Sequence, residues 1–458
     1  MTWDFTEVNP FSNSNGNWIG NSVQWVVKSL DTLPVDMLQG NCSRSDAALQ
    51  QISGGKLVST DPPYYDNIGY ADISDFFYVW QRKSLRDVYP DLFATIAVPK
   101  TEELVATPYR HSGKAAAEKF FLDGMTQAMH RICEQAHPAF PVTIYYAFKQ
   151  SETTNAGGQA STGWETFLEA ILRSGFGLTG TWPMRTEKEG RVIGNGTNAL
   201  ASSIILVCRR REAEAPTATR REFLTALERE LPDAIADLQR GNVAPVDLQQ
   251  ASIGPGMAIF TRYAKVVDAG GKPLSVRDAL TMINQALDEV LSEQEGDFDS
   301  DTRWALAWFE QFGFAEGEYG TAEVLSKAKA TSVQGIVDAG IAVSGKGKVR
   351  LLKPEELPET WTPEGDKRLT VWDMVHHLIR VLEKGEGQAG ELMARLGTKA
   401  EVARELAYRL FSICDRTKRS QDALRYNALV QSWPEVVQLA QQTPIAQQDI
   451  QQSFEGMD

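Results

Sequence analysis

The sequence has few cysteines, no long apolar run and no excess of positive charge. Its 4 cysteines are scattered, and no two of them form a Cys-x-x-Cys pair, so neither a zinc site nor a disulfide framework is indicated. No apolar run approaches the roughly 20 residues of a membrane helix. The first residues lack the basic and apolar segments of a secretion signal. We therefore expect a cytoplasmic protein with reduced thiols, no metal ion and no membrane contact.

The composition is acidic but otherwise ordinary. A formal net charge of -14 excludes a generally cationic coat for nucleic acid, although a local basic groove can still bind DNA. The hydrophobic fraction of 42% and the charged fraction of 23% are typical of globular domains. A length of 458 residues predicts two or three domains.

The most informative stretch runs from Lys56 to Asn67. A short apolar run, Leu57-Val58, predicts the end of a buried strand, which stops at an aspartate, two prolines and two tyrosines. Proline has a fixed φ and no N–H, so the backbone after Asp61 is stiff. A carboxylate and a proline carbonyl can accept both hydrogens of an exocyclic amine, and a tyrosine ring can stack on a flipped base.

Asp61–Tyr64 resembles the catalytic Asp-Pro-Pro-Tyr motif of amino methyltransferases, which move a methyl group from S-adenosylmethionine to adenine N6 or cytosine N4. The longer string from Asp61 to Trp80, DPPYYDNIGYADISDFFYVW, is similar to large bacterial adenine-specific DNA methylases of phage-defence islands, which carry a domain of unknown function. The resemblance covers most of the chain and implies the C-terminal half of a longer protein. It assigns the catalytic role to Asp61, Pro62, Pro63 and Tyr64. It also implies S-adenosylmethionine as co-substrate, with DNA and other defence proteins as partners.

Three residues just after the motif are candidates for contact with the substrate base. Tyr65, Asn67 and Tyr70 are placed to reach a base from this side of the site. The alternative for each aromatic residue is a place in the core. The helix expected from residue 73 to residue 88 is too apolar for solvent, so we expect it to pack against the sheet or border the mouth of the site.

Three further candidates come from the resemblance. Asp46 lies in a loop one element before the motif, where related enzymes approach the cofactor adenine; its alternative role is the N-cap of a short helix. Trp182 and Arg185 lie on the penultimate strand, near the expected target base. Their alternatives are a core side chain and a surface ion-pair partner.

The elements after the motif predict an α/β fold. A strand at 141–148, a helix at 163–174 and two strands at 177–186 and 199–208 follow one another. By analogy this order closes a Rossmann-like class I methyltransferase sheet. We expect that sheet to be partial, followed by a mainly α-helical C-terminal region.

The half of the fold that binds the cofactor is missing from the sequence pattern. Gly194–Gly196, Gly254–Gly256 and Gly345–Gly347 all lack the strand–glycine–helix context of a cofactor loop. A partner chain or an upstream segment would then have to carry that loop.

Two basic clusters are candidates for contact with the DNA backbone. Arg209, Arg210 and Arg211 follow the last strand of the sheet, although short basic clusters are usually just solvated. Lys346 and Lys348 fall in the wing of a winged helix-turn-helix indicated at 321–353, a module that also binds proteins.

These observations give three predicted domains: a catalytic part at 1–210, a helical linker at 211–300 and a helical C-terminal domain at 301–458. The predicted function is methylation of adenine N6 in DNA by base flipping, in a defence or restriction–modification context. The alternatives are cytosine N4 or RNA as substrate, a non-catalytic DNA-binding or scaffolding subunit, and a mere proline turn after a strand.

Overall fold

The computed structural model of the protein describes residues 22–33, 40–66, 68–146, 162–185 and 202–443. The chain forms two units, Met1–Asp46 and Ala47–Asp458. In the first unit, the sequence predicts a short helix at 23–33. Helix α1 spans Gln24–Asp31, and its side chains are exposed. Across all the described ranges, none of the helices combines the length and apolarity required to cross a lipid bilayer.

A four-stranded mixed sheet lies at the start of the second unit. Its strands are β1 (Ser59–Thr60), β2 (Val142–Tyr146), β3 (Phe176–Arg185) and β4 (Ser202–Arg210), in the spatial order β1-β2-β4-β3. Strand β1 runs parallel to β2, whereas β4 runs antiparallel to both of its neighbours. The three longer strands match their predicted positions to within three residues.

Three helices accompany this sheet: α2 (Tyr70–Leu85), α3 (Lys114–Gln135) and α4 (Thr162–Arg173). Helix α3 buries Phe121, Met125 and Met129, which recur every four residues and form one apolar face. That face belongs to the same core as the inward side chains of β2 and α4. The sequence predicts helices at 115–136 and 163–174, and both are confirmed to within one residue.

The middle of the chain adds a second, two-stranded sheet and three helices. Strand β5 (Thr217–Thr219) pairs in parallel with β6 (Lys265–Val267), and the helices are α5 (Arg220–Arg240), α6 (Pro245–Thr261) and α7 (Val276–Glu293). Helices α5 and α7 each begin with a capping box. In each box the N-cap hydroxyl accepts the N–H of the third helical residue, and the acidic side chain of that residue accepts the N–H of the N-cap.

Helix α6 is almost entirely buried and packs directly against β3. A Cβ atom on Gly254 would lie 2.2 Å from the Thr181 hydroxyl, so only glycine permits this close approach. The Thr181 hydroxyl donates to the Ala251 carbonyl at 2.8 Å, which fixes the strand on the helix. The glycines at 254 and 256 therefore serve helix packing.

The C-terminal region begins with helices and a small sheet. In chain order these are α8 (Ser300–Phe312), β7 (Gly317–Glu318), α9 (Tyr319–Ala328), α10 (Val333–Asp338), β8 (Ala342–Gly345) and β9 (Lys348–Leu351). The strands form an antiparallel sheet in the order β7-β9-β8. Five helices follow: α11 (Val371–Leu382), α12 (Glu386–Leu396), α13 (Ala400–Arg416), α14 (Ser420–Gln431) and α15 (Trp433–Gln442).

Polar contacts fix this helical region against α6. The Tyr408 hydroxyl on α13 donates to the Val243 carbonyl, and Arg404 donates to the Asn242 side chain at 2.8 Å. Asn427 on α14 accepts the N–H of Val246 at 3.1 Å. The protein is thus a mixed α/β structure with a small mixed sheet and a helical C-terminal region. This confirms the predicted α/β class and the predicted helical C-terminal region.

Candidate active site

The motif residues leave the sheet at the C-terminal end of strand β1. Asp61 follows directly after β1 and is exposed, whereas Pro62 is buried. Proline has no N–H, so the buried backbone carries no unsatisfied donor at that residue. A carboxylate therefore follows the end of a strand on a stiff backbone, as predicted. The strand itself is Ser59–Thr60, so the expected buried strand at Leu57-Val58 is wrong, and Leu57 is exposed.

Tyr64 turns back onto Asp61. Its hydroxyl donates a hydrogen bond to one carboxylate oxygen of Asp61, and its ring meets the edge of Tyr146 on β2 with the centroids 5.2 Å apart. Tyr146 in turn stacks on Phe167 of α4 at 4.4 Å. Burial, followed by the hydrogen bond to Asp61, raises the pKa of the Tyr64 phenol. The phenol therefore stays protonated and remains a donor.

Tyr65 is a core residue in this structure. It adopts a left-handed conformation with φ of 46°, is 6% exposed, and donates its hydroxyl to Glu118 at 3.1 Å. A Cβ atom on Gly163 would lie 2.9 Å from the Tyr65 ring, so α4 covers that side chain closely. The expected contact of Tyr65 with a base is not compatible with this position, and the alternative of a core role fits it.

The two other candidates that follow the motif have different outcomes. Tyr70 is the first residue of α2 and is exposed, and it lies close enough to the motif to add, after burial and Asp61, to the raised pKa of Tyr64. Asn67 lies outside the described residues.

An ionic network fixes the N-terminus of α2 beside the motif. Arg110 forms ion pairs with Asp72 and, at 2.6 Å, with Glu103, and Glu103 also accepts the N–H of Ala71 at 2.9 Å. Tyr109 donates to Asp72, and the bonds from Tyr109 and Arg110 lower the pKa of that carboxyl. Sequence reasoning missed this network, because Asp72 and Arg110 are 38 residues apart and no local pattern connects them.

Candidates beyond the motif are less clearly placed. Asp46 is exposed and ends the first unit, and residues 47–49 form a turn, so the alternative of an N-cap for a short helix is wrong. Trp182 is exposed on β3, which argues against the alternative of a core residue. Arg185 is the last residue of β3, and its side chain lies outside the described atoms.

The basic clusters are partly used by the protein itself. Arg209 donates to the Ala139 carbonyl at 3.3 Å, and Arg211 to the Leu172 carbonyl at 3.3 Å. Lys348 pairs with Glu318 at 2.5 Å. Arg210 and Lys346 are exposed, so they are the candidate cations best placed to meet a phosphate backbone.

One segment of the described residues has the strand–glycine–helix order that a cofactor loop would need. Between β6 and α7 the chain has a glycine pair, Gly270-Gly271, in the position of a cofactor loop. Its backbone is already used, because Asp268 accepts the N–H groups of Gly270 and Lys272, and its carbonyl accepts that of Gly271. This is a tight turn without free donors for a ligand.

Comparison with known proteins adds one finding. A family described as a domain of unknown function (DUF8807) matches residues 299–454, from the N-cap of α8 onward. Neither a curated protein nor a solved structure matches the chain.

Proposed function

We propose that this protein methylates adenine N6 in DNA, with S-adenosylmethionine as the methyl donor. The observation that carries the proposal is the Asp61–Tyr64 turn. It places a carboxylate, a proline carbonyl and an aromatic ring at the C-terminal end of a strand. Ligands of α/β sheets bind at that edge.

Asp61 and Pro62 would act on the amine of a flipped base. The Asp61 oxygen that Tyr64 does not bind, together with the Pro62 carbonyl, would accept the two amine hydrogens. These bonds localise the nitrogen lone pair and stabilise the positive charge that grows on nitrogen during transfer. The T-shaped contact with Tyr146 orients the Tyr64 ring, which would stack on the flipped base.

The order of the strands supports a Rossmann-like methyltransferase sheet. In such sheets the last strand inserts antiparallel beside its predecessors, and β4 lies antiparallel between β2 and β3. This is a fold-level analogy, and it supports the proposal together with the motif.

The C-terminal region would provide contact with the DNA backbone. Helices α9 and α10 with the β7-β9-β8 sheet have the order of a winged helix, and Lys346 lies at the tip of the β8–β9 turn. Because Glu318 neutralises Lys348 and Glu356 neutralises Arg350, we expect the wing to contribute a weak contact.

Those neutralised cations favour one alternative. A wing whose charges are paired suits a protein partner better than a phosphate backbone. This favours the alternative of a scaffolding subunit without catalysis. Cytosine N4 and RNA remain alternative substrates, because the Asp61–Tyr64 turn recognises an amine and not a particular ring.

The test maps methylated adenine in genomic DNA of the cells that make the protein naturally, carrying the wild-type chain, Asp61→Ala or Asp66→Ala. Asp66 is an exposed aspartate close to the motif and serves as the matched control. We expect N6-methyladenine at a recurring sequence in wild type and in Asp66→Ala, and its loss in Asp61→Ala. The same methylation pattern in Asp61→Ala would rule out the proposed role of the motif, and no methylation in any strain would favour scaffolding.

A further inference from the structure

Tyr109 is the most exposed aromatic side chain in the described part of the chain. Its relative exposure of 75% exceeds that of Phe76, at 67%, and that of Trp25, at 66%. An exposed tyrosine normally samples several rotamers, and fixing it costs conformational entropy that burial does not offset. Tyr109 is nevertheless fixed, so the reason for its orientation lies outside its own packing.

Two contacts hold the Tyr109 ring. Its hydroxyl donates to Asp72 at 2.8 Å, and the Arg110 guanidinium lies over one face of the ring, 5.6 Å from the centroid. The hydrogen bond to Asp72 raises the pKa of the Tyr109 phenol, so the ring stays uncharged. Because Arg110 takes one face and Asp72 takes the hydroxyl, the other face of the ring is presented to solvent.

The segment that carries Tyr109 is well supported. Tyr109 lies in the 3₁₀ turn Pro108–Arg110, and the next residue, His111, stacks on Phe120 of α3 at 4.0 Å. Residues 105 and 106, just before the turn, are buried. An aromatic ring on such a support loses little further freedom when a ligand stacks on it.

The same segment is bonded to the candidate active site. The N–H of Ala106 donates to the carbonyl of Tyr65, the residue that follows the Asp61–Tyr64 turn, at 2.9 Å. Asp72, which accepts from Tyr109, lies in the first turn of α2, the helix that follows the motif. These two links place Tyr109 beside the start of α2, next to the turn that would hold a flipped base.

The charges near Tyr109 are compatible with a nucleic acid. Arg110 forms ion pairs with Asp72 and Glu103, which offsets part of their negative charge. Lys114, which begins α3 soon after the turn, is exposed and takes part in none of the ion pairs among the described residues. Proteins that bind single-stranded nucleic acid combine such cations with exposed aromatic rings on which bases stack.

We propose that Tyr109 is a stacking platform for an unpaired base of the DNA strand that enters the candidate active site. The base lies on the open face of the ring, and Lys114 contacts the adjoining phosphate. This inference rests on the proposed function and extends it. It adds a contact that does not depend on base sequence to the strand whose adenine would bind at Asp61.

The alternative role for Tyr109 is structural, with its hydroxyl serving only to hold Asp72 and the start of α2. That role needs the hydroxyl and not the exposed ring, whereas stacking needs the ring and not the hydroxyl. Tyr109→Phe keeps the ring and removes the hydroxyl, and Tyr109→Ala removes both. The pair of variants therefore distinguishes the two roles.

The experiment crosslinks single-stranded DNA to the full chain, purified from the cells that make it naturally. Iodouracil replaces thymine in an oligonucleotide of random sequence, and illumination joins the substituted base to an aromatic side chain stacked on it. We expect mass spectrometry to find DNA on Tyr109 and not on Tyr89. Tyr89 is the matched control, because it is 53% exposed just after α2 and its side chain has no hydrogen bond or cation contact among the described residues.

Binding of the same oligonucleotide by variants measures the size of the effect. Tyr109→Ala should weaken binding by roughly 5- to 150-fold, the range for one base on one aromatic ring. Tyr109→Phe should bind and crosslink as the wild type does, and Tyr89→Ala should bind as the wild type does. Lys114→Ala should weaken binding and lower the slope of log affinity against log salt concentration by about one unit.

The outcomes separate this inference from the proposed function. Equal weakening in Tyr109→Phe and Tyr109→Ala would assign the structural role. A crosslink at both tyrosines or at neither, or no binding of the oligonucleotide, would overturn the stacking platform. A crosslink specific to Tyr109 in a protein whose cells lack N6-methyladenine would keep the platform and refute the methyltransferase. Methylation lost only in Asp61→Ala, with no crosslink at Tyr109, would keep the function and refute the platform.

Discussion

Helices α2 and α11 differ in what covers their apolar faces. Both present large apolar side chains at helical spacing, yet α2 exposes Trp80 to 64% whereas α11 buries Trp372 to 2%. Helix α11 starts at an N-cap, Thr370, and packs on α12, α13 and α14 within the same chain. Local sequence thus determines which face of a helix is apolar, and the availability of a partner determines whether that face is buried.

The largest effect expected from this comparison is at Trp372. Its ring lies in an aromatic cluster, stacked on His376 at 4.3 Å and edge-on to Phe309 at 5.9 Å. Trp372→Ala leaves a cavity that the surrounding helices cannot fill, so we expect a loss of about 3–5 kcal/mol of unfolding free energy. Chemical denaturation followed by circular dichroism measures it. A loss below about 1 kcal/mol would mean that the cluster tolerates a void, which core packing does not predict.

A second expected effect distinguishes two glycines. Gly254→Ala puts a Cβ against the backbone N of Thr181 at 2.6 Å, so α6 must move off β3, and we expect a cost of about 1–3 kcal/mol. Gly387 in α12 has no atom within 4 Å of such a Cβ, so Gly387→Ala should be neutral or stabilise by up to roughly 1 kcal/mol. Thermal unfolding should show a lower melting temperature for Gly254→Ala and an equal or higher one for Gly387→Ala. Equal destabilisation would contradict the close packing of α6.

Sequence reasoning correctly predicted α3, α4 and the three longer strands, because each has a clear period or a β-branched run. It missed α6 as a helix. That segment is buried on nearly every side, so it shows no amphipathic period to distinguish a helix from a strand.

The candidate site was predictable only where its chemistry is local. Asp61 and Tyr64 are three residues apart and their hydrogen bond follows from the turn. The burial of Tyr65 under Gly163 depends on a contact 98 positions away, and the Arg110 network depends on the loop that follows α2. The exposure of Ile73, Phe76, Phe77 and Trp80 on α2 was not predicted either, because their spacing is that of a packed helix.

A third expected effect is a pH dependence confined to the C-terminal region. Burial raises the pKa of Asp373 to about 8 and lowers those of His376 to about 4 and His377 to about 3. The aspartate binds its proton more tightly when folded, so its contribution to stability falls as pH rises from its ordinary 3.8 towards 8. The histidines contribute above their ordinary 6.5 and lose that contribution as pH falls towards 4.

These opposite slopes predict a stability maximum near the ordinary histidine pKa of 6.5. Melting temperatures measured between pH 4 and pH 8 would show this maximum. Asp373→Asn should remove the loss of stability on the alkaline side and keep the loss on the acidic side. The variant should still fold, because an amide oxygen can still accept from Thr370. Glu391→Gln, an exposed change on α12, is the control and should leave the profile unchanged. An alkaline fall that persists in Asp373→Asn would place its cause elsewhere.

The smallest expected effect is at Trp80, and it is the most decisive for the comparison. In the isolated chain Trp80→Ala removes a side chain that packs on little, so we expect a change within about 0.5 kcal/mol, the range of ordinary surface substitutions. Denaturation under the conditions used for Trp372→Ala measures it directly. A loss similar to that of Trp372→Ala would mean that the chain buries the apolar face of α2 in solution, which would remove the contrast between the two helices. A neutral result at Trp80 beside a large loss at Trp372 is expected only if the apolar face of α2 is exposed in solution and that of α11 is packed.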